Sequence, residues 1–458
     1  FSNSKLLNDM QKVLILGAGM VVRPIVTHLL KKNIQVTVAT RTKSKADEII
    51  GSHKNGRAIA WTIEDMAGLD KMISAHDLTV SLLPYIHHLK VAGLCIKHKK
   101  NMVTTSYVKP EMKALDAEAK KAGIIILNEC GLDPGIDHMS AMRIINNVHN
   151  RGGAVLEFYS ICGALPAPEA ATNPFRYKFS WSPKGVVMAG NNDGRYLKQG
   201  EILDIPTEAL FKNPFKVDFK GVGTLEVYPN RDSLAYREIY GIPEVRTLYR
   251  GTFRYPGWCE TLDVMKQLTL ISNEKFDMTG MTYADMVRHQ LKAGSPLSAL
   301  GSLRQQVATH LGIPVSAHSL EALQWLGIFD EIKMNRSVDS TFEVTSDLMI
   351  SKMALGPEER DMVALQHTFL AEYSDGRKEV IRSRMLDFGK IKTDTSIART
   401  VALPAAIGVE MILDGEITVK GVHIPVIPEI YNPILDKLES LNIKMIEEYA
   451  LPLSEMIT

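Results

Sequence analysis

The sequence predicts an α/β protein: a doubly wound parallel sheet comes first, then a mixed α/β substrate domain carrying a small all-α insertion. Three observations predict it. Short apolar runs rich in β-branched residues recur at regular intervals through the first third of the chain, and stretches with helical spacing separate them. Beyond about Ile136 the runs lengthen and the strict alternation stops.

The expected strands of the first region are 12–16, 35–40, 59–62, 78–83, 101–108 and 124–127. Between the first two, "MVVRPIVTHLLKKN" places Val21, Val22, Ile25, Val26, Leu29 and Leu30 on one helical face. "HLKVAGLCIKHKK" and "EMKALDAEAKKAG" repeat the spacing. Strands alternating with helices imply a parallel sheet covered on both faces. Later strands are expected at 155–160, 177–181, 217–219 and 225–228, with a hairpin turned at Ser374-Asp375-Gly376-Arg377. "YADMVRHQLKAG", "LGSLRQQVATHLG" and "SLEALQWLGIF" are helical by period and form the insertion. The expected domains are 1–135 joined by the tail 398–458, then 136–280 with 336–397, and the insertion 281–335, with a cleft that closes around substrate.

Composition narrows the function. In 458 residues, 53 Lys and Arg balance 52 Asp and Glu, so neither nucleic acid nor an anionic membrane is an expected partner. Cys95, Cys130, Cys162 and Cys259 are widely spaced, without zinc spacing, and read as reduced thiols in a reducing compartment, here the cytoplasm. The apolar run 401–413 is broken by Pro404 and Glu410 and falls short of a membrane span. "FSNSKLLNDMQK" lacks the pattern of a secretory signal; its first residue, Phe1, points to a processed form or a piece of a longer polypeptide.

The first turn reads "GAGMVV". Gly17 allows a tight turn, Gly19 lets the backbone approach a pyrophosphate, and the helix N-terminus faces its charge; Val22 stands at the third small position. This makes the sheet Rossmann-type. An NAD enzyme would carry an acid after strand two, yet "VATRTKSK" offers Thr40, Arg41, Thr42 and Lys43, a set suited to a 2′-phosphate, so NADP(H) is expected. Ligands of such sheets collect beyond the strands' carboxyl ends, where Leu83, Pro84, Thr105, Ser106, Tyr107 and Asp133 fall.

"LNECGLDPGIDHM" crowds Glu129, Cys130, Asp133, Asp137 and His138 into one stretch. The spacing fits a turn at Asp133-Pro134-Gly135 and a helix from Ile136 better than a metal site, leaving Asp137 as a first-turn acid, His138 as a packed or surface residue and Asp133 for chemistry. No metal is expected. Arg231 and Arg254 lie in Gly/Pro/aromatic contexts where a partly dry pocket could hold a carboxylate bidentately, and Trp181 could stack on a flat ring.

These motifs resemble one family. "LGAGMVVRP", "DLTVSLLPY", "MVTTSYVKPEM", "GLDPGIDHMSAM", "ICGALPAPEAATNPFRYKFSWSPKGV", "YPNRDS", "RGTFRYPG", "EALQWLGIF" and "ARTVALP" together resemble the NADP-dependent, L-glutamate-forming saccharopine dehydrogenases, or saccharopine reductases, including the matching domain of animal aminoadipic semialdehyde synthase. The resemblance implies oxidation of saccharopine to 2-aminoadipate 6-semialdehyde and glutamate. It puts Gly17, Gly19, Met20, Thr40, Arg41 and Thr42 at the nucleotide, with Leu132, Asp133, Pro134 and Trp181 near it; Val21 in the first turn and Leu83, Pro84 and Thr105 at the strand ends are expected to line the cofactor as well. It puts Ser106, Tyr107, Asp133, Arg231, Thr252, Phe253 and Arg254 at the substrate. A general base must neutralise the secondary amine; Asp133 is the first choice, then Cys162 and Tyr107. The resemblance further implies either a homodimer or part of a bifunctional polypeptide, mitochondrial in the latter case. Two alternatives stand beside it: another imine or secondary-amine oxidoreductase, such as the carboxynorspermidine type, and a non-catalytic NADP-sensing module.

Overall fold

The computed structural model describes residues 10–292 and 301–457. The opening residues 1–9, and with them most of the segment judged against a secretory signal, lie outside the described residues, as does the stretch 293–300, which takes in the end of one predicted insertion helix and the first residue of the next. The chain divides into two compact units: Phe1–Asn150 with Ser396–Ile446, and Arg151–Thr395 with Glu447–Thr458.

The first unit holds a wholly parallel seven-stranded sheet. Its first six strands in chain order are β1 (Lys12–Leu16), β2 (Gln35–Thr40), β3 (Gly56–Ala60), β4 (Leu78–Ser81), β5 (Asn101–Thr104) and β6 (Ile125–Leu127). In space the order is Gly421–His423, β6, β5, β4, β1, β2, β3, so the chain reverses direction of winding beside β1 and β4. That switch is where an open α/β sheet makes its crevice. The helices are α1 (Arg23–Lys31), α2 (Lys43–Ile50), α3 (Met66–Ser74), α4 (His88–His98), α5 (Pro110–Lys113), α6 (Asp116–Ala122) and α7 (Ile136–Asn150). Residues 13–16 of β1 are completely buried, as a strand covered on both faces requires.

Several expected boundaries move. Strand β5 stops at Thr104 rather than running to residue 108, because the Thr104 hydroxyl accepts the Ser106 N–H (3.3 Å) and turns the chain out of the sheet. The single helix read from 111–123 is two, α5 and α6. Helix α7 belongs to the first unit: Arg143 on it reaches Asp436 (2.7 Å) and Asn146 reaches the Tyr431 hydroxyl (2.6 Å), both on the helix Pro428–Ser440. The last residues, 447–458, belong to the second unit instead.

The apolar run of the tail becomes a helix, Ser396–Leu413, longer than the sequence suggested because Pro404 is accommodated inside it. It is long and apolar enough to cross a membrane by length and composition, yet 83% of it is buried within the protein. Burial alone would raise the carboxyl of its Glu410, but His28 of α1 (2.9 Å) and Lys32 just beyond α1 (2.9 Å) hold it below its usual range. It is therefore a core helix.

The second unit is a nine-stranded mixed sheet. Its central path runs Phe215–Phe219, Gly223–Pro229, Thr247–Arg254, Gly153–Pro166, Asp361–Tyr373, Lys378–Phe388, Ile446–Leu451. The predicted hairpin at Ser374-Asp375-Gly376-Arg377 joins two of these strands, with Glu372 opposite Lys378. Residues 177–181 are not a strand. The Asn173 side chain donates to the Tyr177 carbonyl (2.7 Å) and accepts from its N–H (3.3 Å), satisfying locally the groups a sheet would use, and one isolated bridge at Phe179 remains. The helices Tyr283–Lys292, Leu303–Leu311 and His318–Leu326 form as read, but they are no separate domain. Val287, Val307 and Leu323 share one hydrophobic core with Trp258 and Met265 of the helix Trp258–Gln267, so the insertion is an outgrowth of the mixed-sheet unit.

Candidate active site

In the first unit the loop after β1 is shaped by its glycines. Gly17 takes φ +108° and donates its N–H to Ala39 O on β2 (2.9 Å), while a Cβ there would stand 3.1 Å from Leu82 O. Around Gly19 the position of a Cβ is open, so the backbone presents a bare surface. Met20 beside it is exposed, Val21 half-buried and Val22 buried, and α1 begins at Arg23 with no acid in its first turn. A positive helix end, a bare glycine and no competing carboxylate fit a pyrophosphate. At the end of β2, Thr40 is half-buried and Arg41 and Thr42 are exposed, while Lys43 is paired with Asp47 (2.8 Å). The sequence reading missed Glu64, which approaches this corner from the loop after β3. Its carboxyl is held below the usual range by the Thr62 hydroxyl first, then by its own N–H, and further by His87 and Arg41.

The carboxyl ends of β4, β5 and β6 gather the other polar groups. Leu83 and the exposed Pro84 follow β4. Thr105, Ser106 and Tyr107 leave β5 half-buried, and the Tyr107 hydroxyl donates to Asp133 Oδ1 (2.9 Å). Leu132 and Pro134 are buried on either side of Asp133, which is half-buried. The two residues ranked for proton chemistry in this unit are thus one hydrogen-bonded pair.

The crowded stretch resolves into separate jobs. Asp137 Oδ1 accepts the N–H groups of Gly135 (2.7 Å) and His138 (2.8 Å), closing the first turn of α7. Cys130 donates to Pro404 O (3.4 Å), and complete burial pushes its thiol up to about 12, so it is a packed thiol and not a nucleophile. His138 is fully buried and sits 2.6 Å from Glu129. A further residue missed in the sequence is His88, at the start of α4. Its Nδ1 lies 2.8 Å from Ser81 Oγ and its Nε2 2.9 Å from Ser106 Oγ. Burial lowers its pKa from 6.5 to about 4, with His87 adding to the shift. The neutral ring has one donor and one acceptor, so it bridges the Ser81 and Ser106 hydroxyls, with the Thr104 hydroxyl also near Nε2 (3.3 Å).

In the second unit Arg254 is only 3% exposed and lies over three aromatic rings, Tyr177 (5.0 Å), Trp258 (5.3 Å) and Tyr228 (5.9 Å). One Nη donates to Phe253 O (2.8 Å), while its Nε and the indole N–H of Trp258 are buried without a partner. Glu226, its cross-strand neighbour, accepts the Cys259 N–H instead (2.6 Å). Burial pushes both tyrosine hydroxyls up, against the pull of Arg254, so they stay neutral. A buried guanidinium with unused donors asks for an anion.

Thr252 lies two residues before Arg254 on the same strand face, opposite both Tyr228 and Cys162. Cys162 is buried in that row. The Phe253 ring points the other way, packed edge-on against Phe219, so only its backbone borders this face. Trp181 is half-buried and donates to the Tyr177 hydroxyl (3.3 Å), which makes it a neighbour of the Arg254 cage. Arg231 is exposed in a turn at φ +56°, its carbonyl accepting the Arg195 N–H (2.9 Å). Among the described residues no group of three His, Cys, Asp or Glu is arranged to hold a metal ion.

A Gly17/Gly19 turn opening a helix on a doubly wound sheet, an arginine after β2 and the hydrogen-bonded Tyr107–Asp133 pair beyond the strand ends fit the class of NADP-dependent oxidoreductases. Residues 13–127 match the model of the saccharopine dehydrogenase NADP binding domain, and residues 131–443 that of the saccharopine dehydrogenase C-terminal domain. The chain is 36% identical over 451 residues to saccharopine dehydrogenase [NADP(+), L-glutamate-forming] of Schizosaccharomyces pombe, covering 96% of this chain and 99% of that one. It is also 36% identical to mitochondrial alpha-aminoadipic semialdehyde synthase of Mus musculus, covering 94% of this chain but 47% of the mouse protein. The chain thus spans about half the length of that relative. Among solved structures, the apo saccharopine dehydrogenase (L-Glu forming) of Saccharomyces cerevisiae superposes with a TM-score of 0.87 at 34% identity, covering 96% of this chain and 99% of that one. The chain belongs to the saccharopine dehydrogenase family.

Proposed function

We propose that this chain interconverts saccharopine, NADP⁺ and water with L-2-aminoadipate 6-semialdehyde, L-glutamate and NADPH. The observation that carries the substrate assignment is Arg254, a buried cation whose Nε has no partner; saccharopine brings three carboxylates. Arg231, Ser106 and the Thr252 hydroxyl are the further polar groups we assign to the substrate. Gly17, Gly19, Thr40, Arg41 and Thr42 would hold the cofactor, and bound NADP⁺ supplies the hydride acceptor.

The substrate's secondary amine begins as an ammonium, which has no lone pair to assist hydride departure. Asp133 takes that proton, and Tyr107, donating to its Oδ1, keeps the carboxylate aimed. Loss of hydride from the lysine-side carbon leaves a protonated imine. Water adds to its carbon and gives up a proton to form a carbinolamine, then the C–N bond breaks as the glutamate nitrogen takes a proton and the hydroxyl releases its own to become the aldehyde. Cys162, buried in the sheet, is the second choice for proton transfer.

The test is NADPH absorbance with saccharopine and NADP⁺, repeated with NAD⁺ and with an Arg41→Asp variant. NADPH formation with semialdehyde and glutamate as products is the expected result, with Arg41→Asp losing the preference for NADP⁺. Tight NADPH binding without turnover would point instead to another imine substrate or to a sensing module. Asp133→Asn keeps an acceptor for Tyr107 but cannot take a proton, and it should lower kcat by about 10²-fold with NADPH affinity unchanged. Full activity in that variant would move the base to Cys162, Tyr107 or solvent. As a separate enzyme the chain would work in the cytoplasm as a homodimer; as one domain of a bifunctional chain it would be mitochondrial. Fractionation and sedimentation distinguish the two.

A further inference from the structure

Glu129 is a buried acid that the proposed reaction does not use, and its bonds converge on one neighbour of the reaction. It follows β6 in the left-handed region, at φ +56°. Its N–H donates to Ser106 O (3.1 Å), and its Oε1 accepts the Val108 N–H (2.8 Å). Both peptide groups that flank Tyr107 are therefore tied to a single residue. The other carboxylate oxygen lies 2.6 Å from His138 Nε2, with the two side chains 6% and 0% exposed.

We propose that Glu129 is a positioning residue that sets Tyr107 against Asp133, with His138 fixing the carboxylate from behind. The loop needs such a device, since β5 ends at Thr104 and the sheet no longer supports residues 105–108. The partner loop is governed by the same helix turn: Asp137, next to His138, accepts the N–H of Gly135, two residues beyond Asp133. The first turn of α7 thus backs both halves of the Tyr107–Asp133 pair. A non-glycine residue at positive φ is costly, and it persists where the surroundings over-determine it, as the three bonds to Glu129 do. A carboxylate whose only task was to hold the fold together would not need to grip both neighbours of one tyrosine.

The proposal rests on the reading of Tyr107 and Asp133 as the proton-handling pair, and the test separates the two. Glu129→Met keeps the volume and removes both acceptor oxygens. It should lower kcat about 10–10²-fold at unchanged NADPH affinity, as expected for a misplacement on the scale of an ångström. In a Tyr107→Phe background the same change should cost less than about two-fold, because the residue through which it acts is already silenced. Glu129→Gln, which retains an acceptor for Val108, should recover most of the rate. Amide hydrogen exchange at Val108 should be faster in Glu129→Met and close to wild type in Glu129→Gln. Should Glu129→Met not fold, His138→Leu carries the same cycle with a smaller loss. Losses that multiply independently in the double variant, or unchanged exchange at Val108, overturn the proposal. A wild-type enzyme inactive on saccharopine overturns the functional reading instead, and the exchange measurement still decides the role of Glu129.

Discussion

Replacing Arg254 with methionine is expected to raise the KM for saccharopine by about 10²–10³-fold while leaving the melting temperature nearly unchanged, because a bound carboxylate would lose a desolvated cationic partner. The two halves of this expectation come from the same geometry. In the ligand-free protein Arg254 carries its charge in a nearly dry place, supported by Tyr177, Trp258 and Tyr228 and by one bond to Phe253 O, with Nε unused. Each ring contact contributes about 0.5–2 kcal/mol, against a desolvation cost of several kcal/mol for a buried ion. Methionine fills a similar volume and keeps contact with the rings, so stability should stay within about 1 kcal/mol of wild type. Substrate binding has no such substitute. NADPH affinity, measured by fluorescence titration, should be unaffected. A variant that unfolds readily, or one with an unchanged KM, would show that Arg254 serves the aromatic core and not a substrate carboxylate.

Much of the fold is readable in the sequence because the forces that shape it are local. Parallel strands buried on both faces give uninterrupted apolar runs, and Gly17 takes a backbone conformation that few other residues can. Where the reading failed, a side chain intervened that no periodicity displays. Thr104 turns β5 out of the sheet through its hydroxyl, and Asn173 satisfies Tyr177 before a strand can form. The site followed the same rule. Tyr107, Asp133 and Arg254 were legible as types in suggestive places. Their partners were not: Trp258 reaches Arg254 from a helix after the strand, and His88 reaches Ser106 from the start of α4, 18 positions away. Glu129 and His138 stand in one quoted motif, yet only the turn at Gly135 brings them together.

That turn supports the second large effect, since Gly135→Ala should reduce kcat at least about 10²-fold and lower the melting temperature on the order of 10 °C. Gly135 takes φ +149°, and a Cβ there would stand 2.0 Å from Gly131 O and 2.3 Å from Gly131 N. Nothing flexible lies in that direction; the obstacle is backbone. The two glycines pass this close because residues 132–134 are looped out between them, closed by the Gly131 N–H to Pro134 O (3.0 Å) and followed by the Ile136 N–H to Gly131 O (2.9 Å). Opening the loop enough to admit a methyl group shifts Asp133 from the Tyr107 hydroxyl and pulls on the Asp137 cap. Backbone strain and overpacking together cost about 2–6 kcal/mol. Gly131→Ala is the graded comparison, its Cβ meeting Pro134 O at 3.1 Å and Thr105 Cβ at 3.2 Å, contacts that small shifts relieve, so its losses should be several-fold smaller. If Gly135→Ala kept wild-type rate and stability, the loop would be far softer than its hydrogen bonds imply, and a fixed Asp133 could not be the reason that this stretch crowds so many polar residues around two glycines.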